Sequence, residues 1–88
     1  MIVDLYTSPS CPLCLMTKQK LDQYKNFLTK FTIREFNPML SDEDYERAKR
    51  YNVTAAPTRI NKKDDEVVLR LVKEQPDEVI RQLKDLIK

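Results

Sequence analysis

Cys11 and Cys14 are the only cysteines of this 88-residue chain, and they stand one helical turn apart as Cys11-Pro12-Leu13-Cys14. Two thiols at that spacing can close a disulfide on each other. Thiol–disulfide exchange needs such a pair: an exposed nucleophilic thiolate and a second thiol that resolves the mixed disulfide. The neighbouring residues suit that chemistry. Ile2-Val3-Asp4-Leu5-Tyr6 reads as a strand, Thr7-Ser8-Pro9-Ser10 as a turn, and an amphipathic segment follows. Pro12 fits the first helical position, where its missing N–H would be unpaired anyway. Cys11 is then the N-cap, its sulfur facing the free N–H groups of Leu13 and Cys14 and the positive end of the helix dipole. Both effects favour the thiolate and predict a pKa below the free value of about 8.5.

Other uses of the pair fit the composition less well. A zinc site needs four ligands, and the chain has no histidine and no third cysteine. A zinc or iron–sulfur site would therefore have to be shared across a dimer. As a structural bridge the pair closes too small a loop to stabilise much. A net charge of +2, with lysines interleaved among Asp and Glu, argues against a nucleic-acid partner. No apolar run approaches membrane-spanning length, and Met1 to Tyr6 contains Asp4 and lacks the basic start of a leader. With no glycine in the chain, phosphate-cradling loops are excluded, and turns fall to Asn37-Pro38, Ser41-Asp42, Asn52 and Asn61. A dithiol kept reduced for exchange points to the cytoplasm.

The elements that must position the thiols follow from periodicity. After the first strand, Cys14, Thr17, Leu21, Tyr24 and Leu28 recur at helical steps, which predicts a helix from about Pro12 to Leu28. A strand from Phe31 to Phe36 stops at Asn37-Pro38. Ser41 with Asp44 resembles a capping box and opens a short helix reaching Tyr51, with Asn52 as a left-handed residue closing it. Thr58 to Asn61 and Glu66 to Val72 read as antiparallel strands about a polar turn, Lys62 to Asp65. Pro76 starts a last helix whose buried stripe is Val79, Ile80, Leu83, Leu86 and Ile87. The order βαβ, α, ββα predicts one α/β domain over residues 1–88, a four-stranded mixed sheet with helices on both faces.

A second feature is Val53-Thr54-Ala55-Ala56-Pro57-Thr58, a proline directly before a predicted strand. It is read either as a trans proline opening the strand or as a cis Ala56–Pro57 bond that brings the loop beside Cys11. With the element order and the Cys-x-x-Cys, this segment makes nearly the whole chain resemble the thioredoxin and glutaredoxin superfamily. The Cys-Pro-x-Cys form, the Thr-Ser-Pro-Ser approach and the small size resemble glutaredoxin. Tyr51-Asn52-Val53 and Ala55-Ala56-Pro57-Thr58 resemble thioredoxin.

The resemblance implies a minimal thioredoxin fold and a monomeric protein-disulfide oxidoreductase. Cys11 would be the attacking thiol, Cys14 the resolving thiol and Pro57 a cis proline over the disulfide. Ala56, Pro57 and Thr58 would meet an extended substrate segment, with the Ala56 backbone pairing to it as one strand pairs with another. The cysteine pair would be the redox centre, so no metal or organic cofactor is required. Partners would be protein disulfides and an upstream reductase or dithiol donor. Glutathione-dependent glutaredoxins usually carry a Gly-Gly pair after the hairpin. Here Leu69-Arg70-Leu71-Val72 occupies that region, which implies poor use of glutathione. Leu13 replaces the aromatic residue of glutaredoxins, and Ser10 the tryptophan of thioredoxins. Asp4 resembles a buried thioredoxin aspartate that takes the proton of the resolving cysteine. Its interval to Cys11 is one residue longer, and a one-residue slip changes a strand's face. The alternative reading of Asp4 is a residue near solvent or one paired with a lysine. Lys18, a turn beyond Cys14, is read as a solvated helix lysine that could add positive potential.

Overall fold

The structure, a computed structural model, describes residues 1–87. Seven elements follow in the order β1 (Ile2–Tyr6), α1 (Pro12–Gln23), β2 (Thr32–Phe36), α2 (Asp42–Arg50), β3 (Thr58–Lys63), β4 (Glu66–Val72) and α3 (Pro76–Leu86). The sheet order is β2-β1-β3-β4, with β1 parallel to β2 and antiparallel to β3, and β3 antiparallel to β4. This is the mixed βαβ-α-ββα arrangement expected. The right-handed crossover rule for parallel strands puts α1 over one face, and the hairpin adds the antiparallel half.

Because side chains alternate along a strand, β1 feeds two cores. Val3 and Leu5 face α1 and α3, packing with Leu21, Leu28, Val79, Ile80 and Leu83. Tyr6 faces α2, packing with Ala48 and Ile60. Full burial of one such aliphatic side chain is worth roughly 1.5–3 kcal/mol. Asp4, two residues before Tyr6, shares the α2 face.

Three expectations are corrected. The first helix ends at Gln23, not Leu28. Residues 25–28 tighten into turns in which Lys25 N–H donates to Asp22, Phe27 to Tyr24 and Leu28 to Lys25. Asn26, whose side chain competes for backbone groups, favours that exit, and Leu28 still reaches the core. Secondly, Lys62 and Lys63 belong to β3. The hairpin turn is Asp64-Asp65 alone, both left-handed at φ 53° and 67°, a conformation that Asp tolerates better than most residues. Thirdly, Leu86 is half-exposed and Ile87 is the partly buried C-cap, so neither belongs to the buried stripe of α3. Asn52 is left-handed, as expected, at φ 56°. The capping box is half formed: Asp44 N–H donates to Ser41 Oγ, while the Asp44 carboxylate accepts from Asn37 N–H.

Candidate functional site

Cys11 is the N-cap of α1, extended at φ −107° and ψ 103°, with Pro12 directly after it. Its Sγ accepts the Cys14 N–H at 3.0 Å. Of the two N–H groups expected to face the sulfur, the structure uses that of Cys14. The two cysteines are joined as a disulfide, with Cα atoms 5.2 Å apart. Their exposures differ: Cys11 is half-buried, whereas Cys14 is only 2% exposed. A disulfide or thiol arriving from outside meets the Cys11 sulfur first.

Across from Cys11 lies the loop before β3. Ala56–Pro57 is cis, and Pro57 is buried. The Pro57 carbonyl accepts the Lys73 N–H at 2.7 Å, and the Thr58 hydroxyl donates to Ala55 O at 2.7 Å. These bonds fix the loop on either side of Ala56. The N–H and C=O of Ala56 have no hydrogen bond among the described residues. Cys11 and Ala56 line one groove of about 560 Å³, with Met39, Tyr45, Lys49 and Lys73 on its other walls. Thr58 and Pro57 shape the loop from beneath.

Sequence reasoning located the cysteines and the proline loop but missed those last four walls. Met39 lies between β2 and α2 and Lys49 on α2, and neither carried a sequence signal tying it to the cysteines. Only the fold brings them to Cys11. The Ser8 hydroxyl donates to Met39 Sδ at 3.2 Å, tying the cysteine turn to the segment before α2. Lys18 pairs with Glu35 at 3.0 Å, both substantially exposed, so its charge is largely answered. Among the described residues, no group of three or more His, Cys, Asp or Glu side chains could hold a metal ion. No helix among them is long and apolar enough to cross a membrane.

Asp4 is 1% exposed and bound by cations. Arg34 grips its carboxylate bidentately, Nε to Oδ1 at 2.7 Å and Nη2 to Oδ2 at 2.9 Å. Lys62 stands 3.6 Å from Oδ2 and donates to the Tyr51 hydroxyl at 2.9 Å. No hydrogen bond among the described residues joins Asp4 to either cysteine. Of the two roles considered for Asp4, cation pairing is the one with contacts in the structure.

Tyr6 lies between this cluster and the groove. Its hydroxyl is buried with no hydrogen-bond partner among the described residues. Burial first, and then the negative charge of Asp4, push its pKa up to about 12. An unfolded tyrosine ionises near 10. The native state therefore holds the neutral phenol more strongly than the unfolded chain does. That contribution is fully present below pH 10 and is lost as pH rises from about 10 to 12. In the oxidised protein, Tyr6→Phe is expected to flatten the fall of urea stability across this window. An equally steep fall in the variant would contradict the assignment.

No protein-family model matches the sequence, and no curated protein matches it. Solved structures match its fold. Thioredoxin O2 from Arabidopsis thaliana in the oxidized state superposes with a TM-score of 0.85 at 17% identity, covering 99% of this chain and 75% of that one. A thioredoxin from Fasciola hepatica gives 0.80 at 21% identity, over 96% and 78%. Thioredoxin 1 from Thermosipho africanus gives 0.78 at 19% identity, over 99% and 94%. At these identities the likeness is one of fold, and the fold of this chain is the thioredoxin fold.

Proposed function

We propose that this thioredoxin-fold chain is a protein-disulfide oxidoreductase working through Cys11 and Cys14. The observation that carries the reading is the unequal disulfide. A reachable Cys11 sulfur caps α1, its partner Cys14 is buried behind it, and the unpaired Ala56 backbone lies across the same groove.

In the reduced protein the Cys11 thiolate attacks one sulfur of a substrate disulfide. A Cys11–substrate bond forms, the substrate bond breaks, and the first substrate thiolate leaves and takes a proton. Cys14, after losing its own proton, attacks the Cys11 sulfur and displaces the second substrate thiolate, which is protonated in turn. Two electrons have passed to the substrate, one proton has come from Cys14 and one from solvent, and the Cys11–Cys14 disulfide remains. An upstream dithiol or reductase returns the pair to its reduced form by the same exchange in reverse. Ala56 supplies one donor and one acceptor to an extended segment of substrate, which adds main-chain hydrogen bonds as a strand would. Pro57 and Thr58 hold that backbone in position.

Glutathione is disfavoured as donor, because Leu69-Arg70-Leu71-Val72 and the Lys73 that follows bring no glycine to the stretch where a glycine pair would admit the tripeptide backbone. For Asp4 to take the Cys14 proton, its carboxylate would have to exchange Arg34 or Lys62 for the thiol. The ion pairs favour an anchoring role instead. We place the protein in the cytoplasm as a monomer, where exchange with a reduced donor can cycle.

The asymmetry of the thiols tests the reading. In the reduced protein, iodoacetamide at neutral pH is expected to label Cys11 at least about tenfold faster than Cys14, because only Cys11 is accessible and N-capping. Mass analysis of the peptide carrying residues 11–14 reads the two rates. Equal rates at both positions would refute the assignment.

A further inference from the structure

The groove beside Cys11 has a charge pattern that its wall residues do not balance. Lys49 enters from α2 and Lys73 from the end of β4, and no Asp or Glu lines it. Lys73 has no side-chain partner among the described residues. Lys49 has two weak neighbours: Glu46 at 3.8 Å, with both side chains more than half exposed, and the Tyr45 ring, whose centroid lies 5.5 Å from its ammonium. The rest of the lining is apolar or neutral, Met39, Tyr45 and Ala56 among it.

Lys73 is informative for a second reason. Its backbone is left-handed, at φ 57°. That region is free for glycine and costlier for any residue with a Cβ. The position serves the fold through its N–H, which bonds the Pro57 carbonyl at 2.7 Å, and any residue but proline could provide that bond. What Lys73 adds here, as one of the residues lining the groove, is its charge.

From these observations we propose that the groove selects protein disulfides flanked by acidic residues. This rests on the exchange reading above and adds the substrate class. An extended segment hydrogen-bonded to Ala56 would carry its side chains along the groove, one towards α2 and one towards the end of β4. An Asp or Glu beside the reacting cysteine then meets Lys49 or Lys73, while a basic segment meets repulsion. Exposed charge pairs of this kind raise encounter and docking modestly and are screened by salt.

The test uses the reduced full-length protein in single turnover against disulfide-linked peptides of one length, with acidic, neutral or basic residues flanking the cysteine. Each rate is divided by that of dithiothreitol with the same peptide, which removes the intrinsic reactivity of the disulfide. At low salt the acidic peptide is expected to react about three- to tenfold faster than the neutral one, and the basic one slower. Near 1 M salt, where the Debye length is about 3 Å, the preference is expected to shrink to under about twofold. Lys49→Gln with Lys73→Gly is expected to bring the ratio close to one. Glycine suits the left-handed backbone, so that variant keeps its fold. Lys30→Gln with Lys63→Gln, at the far end of the molecule, removes the same charge and is expected to leave the ratio intact. Parity in the unmodified protein, or a ratio that survives in the groove variant, overturns the acidic preference alone. Failure to react with any peptide overturns the exchange reading and this one with it.

Discussion

Cys11→Ser is expected to abolish disulfide reduction, by on the order of 10³-fold or more, since no other side chain in the groove can attack a disulfide. The fold should survive the change. A serine hydroxyl at the N-cap accepts the Cys14 N–H as the sulfur does, so the start of α1 keeps its cap. Loss of activity would then report chemistry and not unfolding, which far-UV circular dichroism checks. Cys14→Ser is expected to behave differently. Cys11 can still attack, but nothing resolves the product, and the protein accumulates as a mixed disulfide with its substrate. Non-reducing mass analysis would show an adduct at Cys11 in Cys14→Ser and none in Cys11→Ser. Substantial turnover by Cys11→Ser would mean that the 2%-exposed Cys14 attacks first, and would overturn the assignment.

Much of this site was legible because its signals are local. A cysteine pair at helical spacing, a proline at the first helical position and a turn before it need no tertiary information. The strand and helix order followed from periodicity for the same reason. What could not be read depended on pairing across the sheet. Lys62 looked like a turn residue, lying in a run of six polar ones from Asn61 to Glu66. Its burial follows from β3 lying beside β1, which places its ammonium by Asp4. The end of α1 was overestimated because Leu28 keeps the helical stripe while the chain has already tightened into turns. The groove escaped for a related reason. Met39, Tyr45, Lys49 and Lys73 come from three separate parts of the chain, and only packing brings them to Cys11.

The buried cluster behind the groove supplies the largest expected change in stability. Asp4→Asn leaves Lys62 without its counter-charge, and the Lys62 side chain is only 4% exposed. Removing one partner of a buried ion pair costs about 3–5 kcal/mol, because the remaining charge keeps its desolvation penalty. Arg34 is about a third exposed and can regain water, so the lower part of that range is expected. Urea denaturation would show the loss as a lower midpoint with an unchanged slope. Adding Lys62→Met removes the orphaned charge and fills its place with an apolar chain of similar length, so most of the loss should be recovered. If the double variant is no more stable than Asp4→Asn, the pairing is not what Asp4 supplies. The double variant also separates the two roles considered for Asp4, since it restores the fold without restoring a carboxylate. An anchoring Asp4 leaves the pH profile for resolution of the Cys11 mixed disulfide where it stands in the unmodified protein, and this is the expected result. A profile displaced to higher pH, with stability recovered, would show that Asp4 takes the Cys14 proton despite its two cations.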